Sequence, residues 1–126
     1  MHHFTSLMNK PIKSVWIESE EFGAVIEGCA PEDDNSDVIV TFTDNTRYIA
    51  SFFTYTNIDS LRRKNERSGE CLNGKYFWAS DMILIDKINK ESILSVVDYM
   101  IVTGEFYNVF KQLTDNLELQ DHEAKE

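Results

Sequence analysis

The sequence predicts one α+β domain, an antiparallel sheet of four to five strands with two or three helices mainly on one face, and three observations predict it. Asp37–Thr43 and Arg47–Tyr55 are β-branched and aromatic runs separated by Asp44-Asn45-Thr46, the pattern of a hairpin. Ile93, Val96, Val97, Met100 and Ile101 recur at i, i+3, i+4, i+7 and i+8, which gathers them on one helical face. A length of 126 residues and a hydrophobic content of 42% are enough for a single core. Residues 1–114 are read as that domain. Residues 115–126, in which five acids surround Leu117 and Leu119, are read as an acidic C-terminal tail.

In chain order, Ile12–Ile17 follows Pro11 and reads as an entering strand. Phe22–Ile26 fits a second strand or an irregular turn, and its composition does not choose between them. Pro31–Ser36 is a loop by its Pro, Glu, Asp, Asp, Asn and Ser. In the hairpin, alternation puts Val38, Val40 and Phe42 on the core face, with Tyr48 and Phe52 inward from the partner strand and Ile49 a further candidate. Asn57 is placed to cap a helix over Ile58–Arg67, with Asp59 near its positive end and Gly69 as its stop. Only Ile58, Leu61 and Asn65 share a face of it.

Lys75–Ala79 and Met82–Ile85 are two further strands separated by Ser80-Asp81, or one strand with a bulge. On that reading Trp78 is buried in a covered strand, where truncation to alanine would cost about 3–5 kcal/mol, and Asp81 closes a turn. Asn89 caps the helix over 89–102, Gly104 breaks it, and Glu105–Leu113 is a last helical stretch with Phe106, Val109, Phe110 and Leu113 on one side.

The formal net charge is −10, and its distribution narrows the function. Residues 18–37 hold Glu18, Glu20, Glu21, Glu27, Glu32, Asp33, Asp34 and Asp37 with no lysine or arginine, a surface that repels phosphate and disfavours nucleic acid. A basic protein suits it as a partner; simple solubility is the plainer explanation. The apolar stretch Val38–Ile58 is broken by Asp44, Asn45 and Arg47, so no membrane span is expected. No export pattern opens the chain, and a cytoplasmic address is the expectation.

Catalytic motifs are sparse. His2, His3 and His122 lie in terminal segments, away from the rigid shell that Ser-His or Cys-His catalysis requires. Cys29 and Cys71 read as structural thiols. Asp33, Asn35, Asp37 and Asp44 mimic a calcium loop, but Val38 stands where that loop turns on glycine. The five glycines are too dispersed to cradle a phosphate. No cofactor and no metal site are expected. Glu70 and Asp81 bracket Tyr76-Phe77-Trp78, so Glu70, Tyr76, Trp78 and Asp81 form a candidate pocket. Arg62, Arg63 and Lys64, with Arg67, concentrate cations on one helix. They are either balanced by Glu66 and Glu70 or a contact for an acidic patch, including that of a second copy.

The segment Leu61-Arg62-Arg63-Lys64-Asn65, Gly69-Glu70-Cys71-Leu72, Gly74-Lys75-Tyr76-Phe77-Trp78 and Asp81-Met82-Ile83 resembles a group of small uncharacterised bacterial proteins, over Ile49 to about Phe110. That group brings no activity to carry over. In size, acidity and mixed architecture the chain is also similar in type to immunity proteins of bacterial toxin systems. The expectation is a non-catalytic, cytoplasmic protein-binding domain of the immunity type. Glu32, Asp33, Asp34 and Asp37 would meet a basic toxin domain, and Arg62, Arg63 and Lys64 would be further contacts. The alternative is a small-ligand or regulatory domain, homodimeric in one form, using Tyr76 to Asp81. A carboxylate enzyme using Glu70 or Asp81 comes third.

Overall fold

The computed structural model describes residues 11–22 and 31–114. The segment after Phe22, Cys29, the three histidines and the acidic tail lie outside the described residues. β1 (Ile12–Ile17) leads directly into α1 (Glu18–Phe22), and β2 (Asn35–Phe42) and β3 (Arg47–Thr54) form the expected hairpin. Its turn uses Asn45 at φ 71, while the Asp44 carboxylate accepts from the Thr46 amide at 3.0 Å and hydroxyl at 2.6 Å. β2 pairs antiparallel with β1 and with β3, in a register that aligns Val15, Val40 and Tyr48. With a side-chain period of two, that register puts Ile17, Val38, Val40, Phe42, Tyr48, Ala50 and Phe52 on one face, all buried. Ile49 falls on the opposite face and is half-buried, because its neighbours Tyr48 and Ala50 already point inward.

α2 (Tyr55–Ser68) begins three residues earlier than the sequence suggests. Its cap is Thr54, not Asn57: the Thr54 hydroxyl accepts from the Asn57 amide at 3.0 Å. Asn57 is thereby inside the helix, its side chain free to reach Asp33 and Asn35. Gly69 ends α2 as expected, at φ 86.

α3 (Glu70–Gly74) then coils the opposite way, with Cys71, Leu72 and Asn73 at φ 52, 52 and 60 and Gly74 at 79. Lys75–Ala79 is not a strand. The chain leaves α3 across the outer face of the sheet, where Phe77 packs edge-on against Phe53 at 5.4 Å. Tyr76 and Trp78 are 52% and 69% exposed. β4 (Met82–Ile85) is the remaining strand of that pair, and it runs parallel to β3, Ser51 opposite Met82 and Thr54 opposite Ile85. A parallel neighbour needs a long crossover, which α2, α3 and the aromatic loop provide.

α4 (Lys90–Thr103) matches the periodic prediction. Asn89 caps it, accepting from the Ser92 amide at 2.8 Å, and Ile93, Val97 and Ile101 are buried against the inner face. The stretch expected as one last helix divides into α5 (Phe106–Val109) and β5 (Lys111–Leu113), with Phe110 at ψ 140 between them. β4 covers only the second half of β3, so the first half has unpaired backbone groups on that edge. β5 pairs there antiparallel, Arg47 opposite Leu113 and Ile49 opposite Lys111. The sheet order is β1-β2-β3-β4, with β5 sharing the outer edge of β3 with β4. Among the described residues no helix is long and apolar enough to cross a membrane.

Candidate functional site

The antiparallel pairing of β1 and β2 brings Ile17 opposite Val38, so α1, which starts at Glu18, and the segment leading into β2 occupy the same end of the sheet. There the carboxylates of Asp33 and Asp37 are bonded to neutral side chains. Asp33 accepts from the Asn57 amide nitrogen and the Ser60 hydroxyl, both at 3.0 Å. Asp37 accepts from the Ser51 hydroxyl at 2.7 Å, and its own N–H donates to Glu18 at 3.3 Å. The Asp34 N–H donates to the fully buried Thr54 hydroxyl at 3.1 Å, and the Asp34 carboxylate accepts from the Asn35 amide at 2.8 Å. Asp33 thus sits by the first turn of α2, where the helix dipole favours a negative charge. Among the described residues no cation forms an ion pair with Glu18, Glu32, Asp33 or Asp37. The calcium-loop mimicry fails here too, because Asp44 lies at the hairpin turn, the other end of β2.

The cations of α2 behave differently. Arg62 pairs with Asp59 at 2.7 Å and Glu66 at 3.0 Å, Arg63 pairs with Asp59, and Lys64 lies 3.5 Å from Glu70. The hydrogen bond from Arg62 holds the Asp59 carboxyl below its ordinary range, and the same bond raises Arg62. These side chains are all more than a third exposed, so water screens the pairs and they add little stability. Arg62, Arg63 and Lys64 are therefore balanced largely by their own helix and Glu70.

Of the candidate pocket residues, Tyr76 is the one that lines the groove beside β4. A groove of about 250 Å3 on the outer side of β4 is lined by Ile58, Tyr76, Phe77, Met82 and Leu84, with Arg62, Gly74 and Lys75. Glu70 lies apart, accepting from the Ser68 hydroxyl at 3.0 Å beside Lys64. Trp78 is outside the lining and exposed, so the large truncation cost of a buried ring does not apply to it. Gly74, Met82 and Leu84 were not singled out from the sequence. The signal for the last two was present: Ile83 and Ile85 point inward, so alternation turns Met82 and Leu84 out.

Asp81 lies in the turn before β4, placed there by its backbone and not by a side-chain bond to nearby amides. Its backbone carbonyl accepts from the Ser51 N–H at 2.9 Å, and it stands at φ 54, where aspartate and asparagine are tolerated best after glycine. Asp81→Asn and Asp81→Gly should leave the unfolding free energy from urea titration within about 0.5 kcal/mol of wild type, whereas Asp81→Val should lose about 1–2 kcal/mol to the left-handed backbone. An equal loss in all three variants would mean that the carboxylate itself is needed.

Among the described residues no group of three or more histidine, cysteine or acidic side chains is arranged to hold a metal ion. Compared with known protein families, curated proteins and solved structures, the chain matches none of them.

Proposed function

We propose that this chain is a non-catalytic binding protein whose acidic sheet end engages a basic partner domain, the role that an immunity protein plays toward a basic toxin. The observation that carries the reading is the state of the carboxylates around β1, α1 and β2. Glu18, Asp33 and Asp37 are anchored by hydroxyl, amide and backbone groups and left without a described cation, so their charge stays available to a partner. Fixed like charges at one end of a small domain steer an oppositely charged surface into register and raise the association rate more than they raise affinity. The cations of α2 contribute less, being balanced by Asp59, Glu66 and Glu70.

The test spares Asp33 and Asp37, whose carboxylates are bonded to α2 and β3. Glu18, Glu20 and Glu32 are exposed, and replacing all three by lysine keeps Asp33 and Asp37 in place. With a host protein captured by the wild-type domain, the triple variant should associate at least about tenfold more slowly at low salt, and the difference should shrink as salt rises. An acidic partner, or an association rate that ignores both salt and the triple substitution, would reject the reading.

A further inference from the structure

We propose that the aromatic loop is a self-association surface, on which Trp78 of each copy seats in the groove of a second copy of this chain. The projecting part is unusual for a surface loop. Trp78, Tyr76 and Leu72 are all more than half exposed, yet the segment that carries them is pinned at both ends. On one side the left-handed turn Cys71–Asn73 is closed by Lys75 N–H bonds to the Cys71 and Leu72 carbonyls, at 3.0 and 3.2 Å. On the other side Asp81 is bonded to β3 through Ser51, and Phe77 between them is packed on Phe53. A large exposed ring on an anchored backbone loses little freedom when it is covered.

The receiving part lies on the same segment. The groove of about 250 Å3 is below the range of roughly 300–1,000 Å3 usual for drug-sized ligands and suits one large side chain. Ile58, Phe77, Met82 and Leu84 give it apolar walls, and Arg62 and Lys75 at its lining favour the face of an indole. Trp78 is two residues from Tyr76 and one from Phe77, both of which line the groove. Knob and hole on one patch are what a twofold contact requires, since the same surface must serve both copies.

Charge selects this patch for a second copy. Two chains of net charge −10 repel each other, and the acids Glu18, Glu20 and Glu32 to Asp37 at one end of the sheet add to that repulsion there. The groove, by contrast, carries Arg62 and Lys75 in its lining, with Arg62 paired to Asp59 and Glu66, so two copies meet there at lower electrostatic cost than through their acidic ends.

The chain has two tryptophans, and Trp16→Phe leaves Trp78 as the sole reporter. Sedimentation and fluorescence of that protein from about 1 μM to about 1 mM should show the mass rising toward twice that of the chain while the emission moves to shorter wavelength. Trp78→Ala and Leu84→Lys, tested in the wild-type chain and with melting curves confirming that each folds, should each move the dimer midpoint up by about tenfold or more. Mixing the two variants restores one intact seat, because the first keeps the groove and the second keeps the knob, so the mixture should associate more tightly than either alone. A monomer with long-wavelength emission throughout would overturn the proposal. So would a dimer indifferent to Trp78→Ala, or a short-wavelength emission independent of concentration, which would place the indole on its own chain.

Discussion

Replacing Phe106 by alanine is expected to cost about 3–5 kcal/mol, as truncation of a fully buried ring does. The ring is fully buried, and it touches Phe42, Tyr48, Tyr107 and Phe110 at centroid distances of 5.5, 5.3, 5.0 and 4.3 Å. Three of those contacts are edge-on, the geometry in which the positive rim of one ring meets the negative face of another, and each adds to the area buried. α5 has only four residues, too few to hold helical structure by its own hydrogen bonds. The ring of Phe106 is therefore what fixes α5 to the sheet, and β5 follows it in the chain. Urea unfolding should show a lower midpoint at unchanged slope. With a total stability of about 5–15 kcal/mol for a domain of this kind, the variant should be close to unfolding at 37 °C. A loss below about 1 kcal/mol would mean that the aromatic cluster repacks around the gap.

Gly74→Ala is expected to cost about 2–4 kcal/mol, from two sources that a control separates. At φ 79 any side chain is strained, and a Cβ built there would lie 2.7 Å from the Arg62 carbonyl oxygen, 2.8 Å from Glu66 Cγ and 3.1 Å from the Glu66 amide nitrogen. Two of those three neighbours are helix backbone and cannot move aside without opening α2. Gly104 shares the left-handed conformation, at φ 85, but has no atom within 4 Å of such a Cβ, and Gly69 meets only the Asn73 side chain at 3.6 Å. Gly104→Ala and Gly69→Ala should therefore show the conformational part alone, about 1 kcal/mol each. The excess at Gly74 measures how closely the left-handed turn is seated on α2. Equal losses at all three glycines would show that the turn is not pressed against the helix.

The parts of this fold legible in the sequence are those where one period repeats long enough. Val38, Val40 and Phe42 announce a half-buried strand, and Ile93 to Ile101 a helix whose ends Asn89 and Gly104 punctuate. Lys75–Ala79 misleads because an aromatic run reads as a buried strand whether its rings pack or project; only the sheet tells that Phe77 packs and Trp78 does not. The helix cap moves from Asn57 to Thr54 because a threonine at the end of β3 serves two turns at once, accepting from Asp34 and from Asn57. β5 is invisible from its own three residues, since the reason for it is a vacancy on β3 far away in the chain. Of the candidate site residues, the acids of 32–37 could be seen as a charged segment. That asparagine and serine side chains of α2 hold Asp33 depends on tertiary contact, and no spacing rule reveals it.

The edge that β4 and β5 share has a further consequence, for how the molecule breathes. Two strands of opposite direction meet end to end there, Met82 beside Ser51 and Lys111 beside Ile49, so the lane has a seam at Ala50 with no continuous backbone across it. A sheet opens most easily where a lane is interrupted, and the segment on one side of this seam is a three-residue strand. β5 can thus detach while β1 to β4 stay zipped, baring the first half of β3 as an unpaired edge without global unfolding. On this account the cooperative unit of the domain ends at that seam, and the amide protons of Arg47 and Ile49 should exchange faster than those of the β3 residues paired with β4.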